Sequence, residues 1–309
     1  MEGEISSMAH ESLEHPMKIF AGHHFSIGST HRVCEDYAFS FAGTLDPEKP
    51  PVGLAIVSDG CSSGTFTDIG SRLWVSTVAK MMDGDPDSWS KDSISLFTKA
   101  HSQVTQVRAA LGLPTTSELC TLLALTFDSQ GFRLRGCGDG VWVRGKISLE
   151  GVTFEIHQIS APSNQPPYIP YFMGEGNPYQ DTFGPTPLKD KVRRFSGQTE
   201  LDSEERDIAP FVDETWGPEE YNFAAVFSDG LETFRGVDPK VLVDHLVEGF
   251  SSHLHLRKPW LPLLAAYRKV CIAQTHTDDL AGSYLFIAPE EAPTLEEFYL
   301  QETKRKLGL

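Results

Sequence analysis

Aspartates recur in this chain where apolar runs end. Residues 55–60 read AIVSDG and residues 224–230 read AAVFSDG: small and branched apolar residues, then Ser, Asp, Gly. Three further segments share that character, CED at 34–36, CGDG at 137–140 and HTDDLAG at 276–282. Singly, each reads as a turn, since Asp bonds its own backbone and Gly tolerates positive φ. Together they offer Asp36, Asp59, Asp139, Asp229 and Asp278, with Glu35 beside the first, at the rims of predicted strands. Convergence would cost roughly 4 kcal/mol for each carboxylate pair held about 4 Å apart at a surface-like dielectric. Of the arginines and lysines, Arg32 alone lies close to these segments, so a pair of divalent cations is the economical compensation. An all-oxygen donor set selects Mg2+ or Mn2+ over zinc.

The elements that must carry these residues follow from periodicity. Residues 17–60 are strand-like: MKIFAGHHFSIG, DYAFSFAG and GLAIVSDG are separated by Gly, Pro and Asp turns. Two helices are predicted next, over 67–82 with Ile69, Leu73 and Val78 on one stripe, and over 92–111 with Ile94, Phe97, Val104 and Val107. Strands resume at 119–128, 131–145 and GVTFEIHQI. Residues 161–220 are rich in Pro, Gly and charge with little periodicity, and read as a flap-like excursion. Asp238-Pro239 opens a third helix as cap and first-turn proline, a fourth runs over about 260–272, and GSYLFIA closes the chain's core as a strand. Helices clustered in pairs between runs of strands argue for an α+β fold with antiparallel sheets. The expected organisation is an N-terminal tail (1–16), a domain over 17–288 that includes the flap, and an acidic helical tail over 289–309.

Composition bounds the function. The 309 residues carry 26 basic and 43 acidic side chains, a formal charge of −17 that repels nucleic acid backbones and anionic membrane surfaces. No stretch has the apolar length that spans a bilayer, and the N-terminus lacks the pattern of a secretory signal. Five cysteines without CxxC spacing fit reduced thiols of a cytoplasm. Asp85-Pro86-Asp87 has the DxD spacing of an aspartyl-phosphate phosphatase but follows a helix end, where turn or cap chemistry explains it.

Glu35-Asp36, Asp59-Gly60, Cys120-Thr121, Gly138-Asp139, Ser228-Asp229-Gly230 and Asp278-Asp279 follow one another in an order that resembles the metal-dependent protein phosphatases of the protein phosphatase 2C group, over about residues 20–287. The resemblance implies a four-layer α-β-β-α sandwich of two antiparallel sheets flanked by helices, with a binuclear Mg/Mn centre at one end. It implies hydrolysis of phosphoserine or phosphothreonine in a phosphoprotein substrate by a water activated at that centre. Asp59 is then expected to bridge two metals, the Gly60 carbonyl to bind one, and Asp229 and Asp278 the other. Glu35 and Asp36 are expected to hold metal-bound waters.

Three positions depart from the family pattern. Where family members place a phosphate-gripping arginine this chain has His31, with Arg32 beside it, and both are candidate phosphate ligands. Cys61 stands where several members have a histidine. A third metal would use Asp139 and an aspartate four residues after Asp229, but that place holds Thr233, with Glu232 adjacent. These departures imply a weak or absent third ion. They keep an alternative open, a catalytically weak phosphatase-like module that binds or regulates phosphoproteins. The partner protein and the oligomeric state are not written in the sequence.

Overall fold

The computed structural model describes residues 18–44, 51–84, 92–148, 150–174, 178–234, 237–273 and 276–288, with 297, 299, 300, 303 and 304. The expected tail at 1–16 and the Asp85-Pro86-Asp87 motif lie outside the described residues. The expected C-terminal tail is described only at 297, 299, 300, 303 and 304, which are helical.

Two antiparallel sheets stack face to face. The smaller has five strands in the order β10 (Phe211–Trp216), β5 (Gly131–Cys137), β4 (Leu122–Asp128), β3 (Val52–Ser58) and β2 (Tyr37–Gly43). The larger has seven: β1 (Lys18–Ser26), β12 (Leu280–Ala288), β11 (Phe223–Phe227), β6 (Gly140–Ser148), β7 (Gly151–Ser160), β8 (Leu188–Ser196) and β9 (Thr199–Ile208). Helices α1 (Thr67–Gly84) and α2 (Ser93–Ala110) cover the smaller sheet, while α4 (Pro239–Ser251) and α6 (Leu261–Ala273) cover the larger. Short helices α3 (Pro178–Phe183) and α5 (Leu254–Arg257) complete the set. The expected α+β four-layer sandwich is therefore the observed architecture. No helix among the described residues is long and apolar enough to cross a membrane.

The layering explains the unbroken apolar runs. In β3, Leu54 and Ile56 pack with Trp74, Val78 and Phe97 beneath the helices, while Ala55 and Val57 pack with Leu123, Trp142, Val226 and Leu285 between the sheets. Alternate residues thus face different cores, and both faces are apolar. Each buried Val, Leu, Ile or Phe contributes about 1.5–3 kcal/mol. On the other flank, Phe223 and Phe227 meet Leu246, Phe250 and Val270.

Some local expectations shift. The cap at Asp238 is present, its side chain accepting the Lys240 N–H at 2.8 Å. In α1 the buried stripe is Trp74, Val75, Val78, Met81 and Met82, with Leu73 only partly buried. In α2 it is Leu96, Phe97, Ala100 and Val104, leaving Ile94 and Val107 exposed. The largest difference lies in 161–220, where irregular chain was expected throughout. Its second half instead forms β8, β9 and β10, extending one sheet by two strands and the other by one.

Candidate active site

Strand register brings the acidic motifs to one end of the sandwich. Tyr37 and Ser58 form the last pair between β2 and β3, so Asp36 and Asp59 leave that sheet side by side. In the other sheet Phe227 pairs with Gly282 and Val141, which sets Asp229 beyond β11, Asp278 before β12 and Asp139 before β6 at the same end. Asp139 sits where the chain crosses between the sheets, from β5 to β6. The crossing needs glycine on both sides: Gly138 and Gly140 have φ of +108° and +131°, and a Cβ at Gly140 would lie 2.7 Å from the Phe227 carbonyl oxygen. The two SDG serines tie neighbouring chain to the rim, Ser58 Oγ donating to the Thr121 carbonyl at 2.7 Å and Ser228 Oγ accepting the Ala281 N–H at 2.9 Å. At Gly230 the requirement is close approach, since a Cβ there would fall 1.6 Å from the Asp279 carbonyl oxygen.

The gathered carboxylates repel one another, and Asp36 and Asp139 are hidden from water. Burial, then the fields of Asp36 and Asp229, push the Asp59 carboxyl well above its usual range. Burial raises Asp36 to about 7, against hydrogen bonds to Asp59 and Ser228 that favour its anion. Asp229 is raised to about 6 by burial and by Asp278 and Glu232, and itself hydrogen-bonds Asp59. Asp139 reaches about 8 through burial and the field of Asp229. Glu232 lies at the exposed edge of the site, its Oε1 accepting from Gln158 Nε2 at 3.4 Å. Asp36 is 2% exposed and Asp139 6%, yet Asp36 Oδ2 and Asp139 Oδ1 are buried without a hydrogen-bond partner. Among the described residues no arginine or lysine pairs with Asp36, Asp59, Asp139 or Asp229.

A second layer holds this set in place. Asp279, 2% exposed, accepts the Gly28 N–H at 2.7 Å and the Glu35 N–H at 2.5 Å, clamping the segment that carries the Glu35-Asp36 pair. His31 lies between acids: Nε2 is 3.2 Å from Asp278 Oδ1, while Nδ1 is 3.0 Å from Asp279 Oδ2 and 3.7 Å from Glu35 Oε2. Burial opposes its charge, but the adjoining Asp279, Asp278 and Glu35 carboxylates prevail and raise its pKa. His31, Glu35 and Asp279 also place one ligand atom each within 4.8 Å of the others. Arg32 is solvent-exposed. Thr233 bridges the second SDG motif to the last one, donating to the Gly230 carbonyl at 2.8 Å and accepting the Asp278 N–H at 3.3 Å. Thr67 Oγ1, at the start of α1, donates to Glu35 Oε1 at 3.1 Å.

Sequence reasoning overlooked the roles of Asp279 and the two serines. Their signal was present, in the doubled aspartate and the repeated Ser of SDG. The flap aromatics anchor their own segment: Phe172 packs on Phe211 with centroids 4.9 Å apart, and Tyr179 donates to the Gln165 carbonyl at 2.8 Å. Tyr168, 7% exposed, hydrogen-bonds Cys61 and so joins the flap to the loop after Asp59.

Comparison with solved structures concerns the fold alone. A bacterial serine phosphatase crystallised with a point substitution superposes with a TM-score of 0.51 at 12% identity, over 87% of this chain and 97% of that one. The serine-threonine phosphatase 2C from Toxoplasma gondii gives 0.49 at 11% identity, over 89% and 96%. The Ser-Thr phosphatase MsPP from Mycobacterium smegmatis gives 0.47 at 14%, over 87% and 98%. A comparison with curated protein sequences returned no match. The sequence profile described as Protein phosphatase 2C matches residues 29–281. The chain belongs to the protein phosphatase 2C family.

Proposed function

We propose that the protein hydrolyses phosphoserine or phosphothreonine in proteins, using Mg2+ or Mn2+ held among the rim carboxylates. The observation that carries this reading is the acidic cluster itself, with raised carboxyl pKa values, two orphaned oxygens and, among the described residues, no arginine or lysine paired with Asp36, Asp59, Asp139 or Asp229. Such a cluster fits a hard divalent cation. Asp59, Asp229, Asp278 and the Gly60 carbonyl would hold two ions, with Asp36 and Glu35 ordering water around them. Asp139 and Glu232 would offer a weaker third position. When bound, such ions supply positive charge for the phosphate oxygens and a water nucleophile at neutral pH.

The chain's own residues prepare that chemistry. Burial of Asp36 and Asp139 keeps bulk water from their carboxylates, so the field there is weakly screened. Asp279 and Thr233 fix the backbone on both sides of the acids and limit reorganisation. Arg32, exposed beside the pocket, would approach the substrate phosphate, with His31 lowering the negative charge that the phosphate meets. The unpaired cysteines support action in a reducing compartment such as the cytoplasm.

The direct test is hydrolysis of a phosphothreonine peptide with added Mn2+. The expected result is full dependence on the ion and a loss of more than about 100-fold in Asp229→Asn, at least the scale seen when support of a metal ligand is removed. Undiminished hydrolysis in chelator would overturn the proposal.

A further inference from the structure

The His31 ring has two nitrogens, and the fold sets them different tasks. Nε2 lies 3.2 Å from Asp278 Oδ1, a contact that keeps the ring proton on that side and leaves the lone pair on Nδ1. Nδ1 then faces two carboxylate oxygens, Asp279 Oδ2 at 3.0 Å and Glu35 Oε2 at 3.7 Å. It is buried and has no hydrogen-bond partner. A second ring proton would meet Asp279 Oδ2 at 3.0 Å without the direction of a hydrogen bond. Three electron-rich atoms turned toward one another call for a positive charge between them.

The spacing suits a cation. Ligand atoms 2.0–2.2 Å from a shared ion stand roughly 3.0–3.5 Å apart, and His31, Glu35 and Asp279 each place one ligand atom within 4.8 Å of the others. Each acid is also held from behind. Thr67 Oγ1 donates to Glu35 Oε1 at 3.1 Å, which leaves Oε2 for an ion. The Gly28 and Glu35 N–H groups donate to Asp279 Oδ1 and Oδ2 at 2.7 and 2.5 Å, and a carboxylate with about four acceptor positions keeps room for a metal after two such bonds. Asp278 behind Nε2 completes the carboxylate–histidine pairing that orients metal-bound imidazoles. The His31 and Glu35 side chains remain 17% exposed, so an ion can reach them from solvent.

We infer that His31 Nδ1, Glu35 and Asp279 form a further cation site, beside the two ions proposed above, that takes a borderline divalent cation such as Zn2+ in preference to Mg2+. An imidazole nitrogen suits zinc, whereas the all-oxygen donors at Asp59 and Asp229 suit magnesium or manganese. The inference goes beyond the phosphatase reading. Binding here needs no turnover, so either can fail while the other stands.

The experiment takes the full chain in excess Mg2+ and adds Zn2+ up to one equivalent. Equilibrium dialysis measures the zinc bound, and zinc X-ray absorption reads its ligands. The parent should show imidazole nitrogen among oxygen donors. His31→Gln should lose the imidazole signal and weaken the tightest zinc site by at least about tenfold, the lower end of what even a supporting partner of a metal ligand contributes. Thr67→Val, which frees Glu35 from its donor, should keep the imidazole signal and weaken zinc binding by about tenfold. An oxygen-only spectrum in the parent would overturn the inference. So would an imidazole signal that persists in His31→Gln, which would mean that other histidines hold the zinc. Should His31→Gln fail to fold, as its thermal midpoint in chelator would reveal, Thr67→Val decides, and zinc binding unchanged from the parent's would overturn the inference. Manganese-dependent hydrolysis of the phosphothreonine peptide reports the phosphatase reading separately.

Discussion

Two regions of this molecule bury carboxylates, and they solve the charge problem in opposite ways. At the pocket, Asp36, Asp59, Asp139 and Asp229 meet one another and their pKa values rise. Across β6, β7, β8 and β9, register instead lines up Arg144, Glu155, Arg194 and Asp202 in neighbouring strands, with signs alternating. Glu155 accepts from Arg144 Nε at 2.9 Å, Arg194 Nε at 3.1 Å and Tyr221 OH at 3.2 Å. Against its burial, hydrogen bonds from His157 and Arg144 hold Glu155 down to about 2. Asp190, 1% exposed, accepts from His157 Nδ1 at 3.0 Å and from Arg206 Nε and Nη2 at 3.0 and 2.9 Å. His157 is stacked on Trp142 with centroids 3.5 Å apart, and Arg144 lies over Trp142, Trp216 and Tyr221. The strand lattice carries its cations in its own sequence; at the pocket, among the described residues, Asp36, Asp59, Asp139 and Asp229 have no arginine or lysine partner. Buried acid with a built-in partner is a structural device; under the proposed function, buried acid without one would receive positive charge.

The sharpest way to break this contrast is to neutralise one acid in each region and compare signs. In the lattice, Asp190→Ala leaves His157 and Arg206 without their common acceptor. Removing one partner of a buried pair is strongly destabilising, and because Arg206 is partly exposed and can rehydrate, the expected cost is about 3 kcal/mol, at the lower end of that range. Urea unfolding at neutral pH measures it. A cost below about 1 kcal/mol, the level of an ordinary surface pair, would show that the lattice is decorative.

A pH series comes next in size. The raised carboxyls at the pocket favour the folded state at acid pH, below their unfolded pKa near 4. That contribution is lost as pH climbs through about 6 for Asp229, about 7 for Asp36 and about 8 for Asp139. Glu155 behaves oppositely, its contribution being present above its unfolded pKa and lost as pH falls toward about 2. In chelator, stability should therefore peak near pH 4–5 and decline toward pH 8 as the pocket carboxyls ionise. Added Mn2+ should raise the midpoint more at pH 8 than at pH 5. A flat profile in chelator would mean the acids do not face one another as described.

How far the sequence disclosed all this differs between the two regions. The pocket was legible because each acid follows or precedes an apolar strand, and strand ends converge by topology alone. The Gly138-Asp139-Gly140 crossing was legible for the same reason, although the split of 131–145 between two sheets was not. The lattice was hidden. β9 reads TELDSEERDI, is exposed along nearly its whole length and has no apolar alternation to betray a strand. In β8 the alternation exists, Leu188, Asp190 and Val192 being buried and Lys189 and Lys191 exposed. A buried aspartate standing in an apolar slot disguised it. The clamp between His31 and Asp279 was equally hidden, because sequence offers no register for partners joined only through the fold. Helix stripes in α1 and α2 slipped because several residues near the helical period were apolar and only packing selects among them.

The smallest expected effect gives the cleanest sign. Asp139→Asn removes a buried charge that faces Asp229, Glu232 and Asp278, and keeps the side chain's size. In chelator at pH 8 or above, where the parent's Asp139 ionises at a cost, the variant should be more stable by about 1 kcal/mol, one pKa unit's worth of repulsion. With saturating Mn2+ the advantage should shrink or reverse, because the amide offers a cation a weaker donor than the carboxylate. Loss of an acid would then stabilise one region while Asp190→Ala destabilises the other, on the same protein by the same unfolding assay. If Asp139→Asn is less stable than the parent in chelator, Asp139 is held by the fold rather than merely tolerated by it, and the division between a self-satisfied lattice and a cation-seeking pocket fails at that residue.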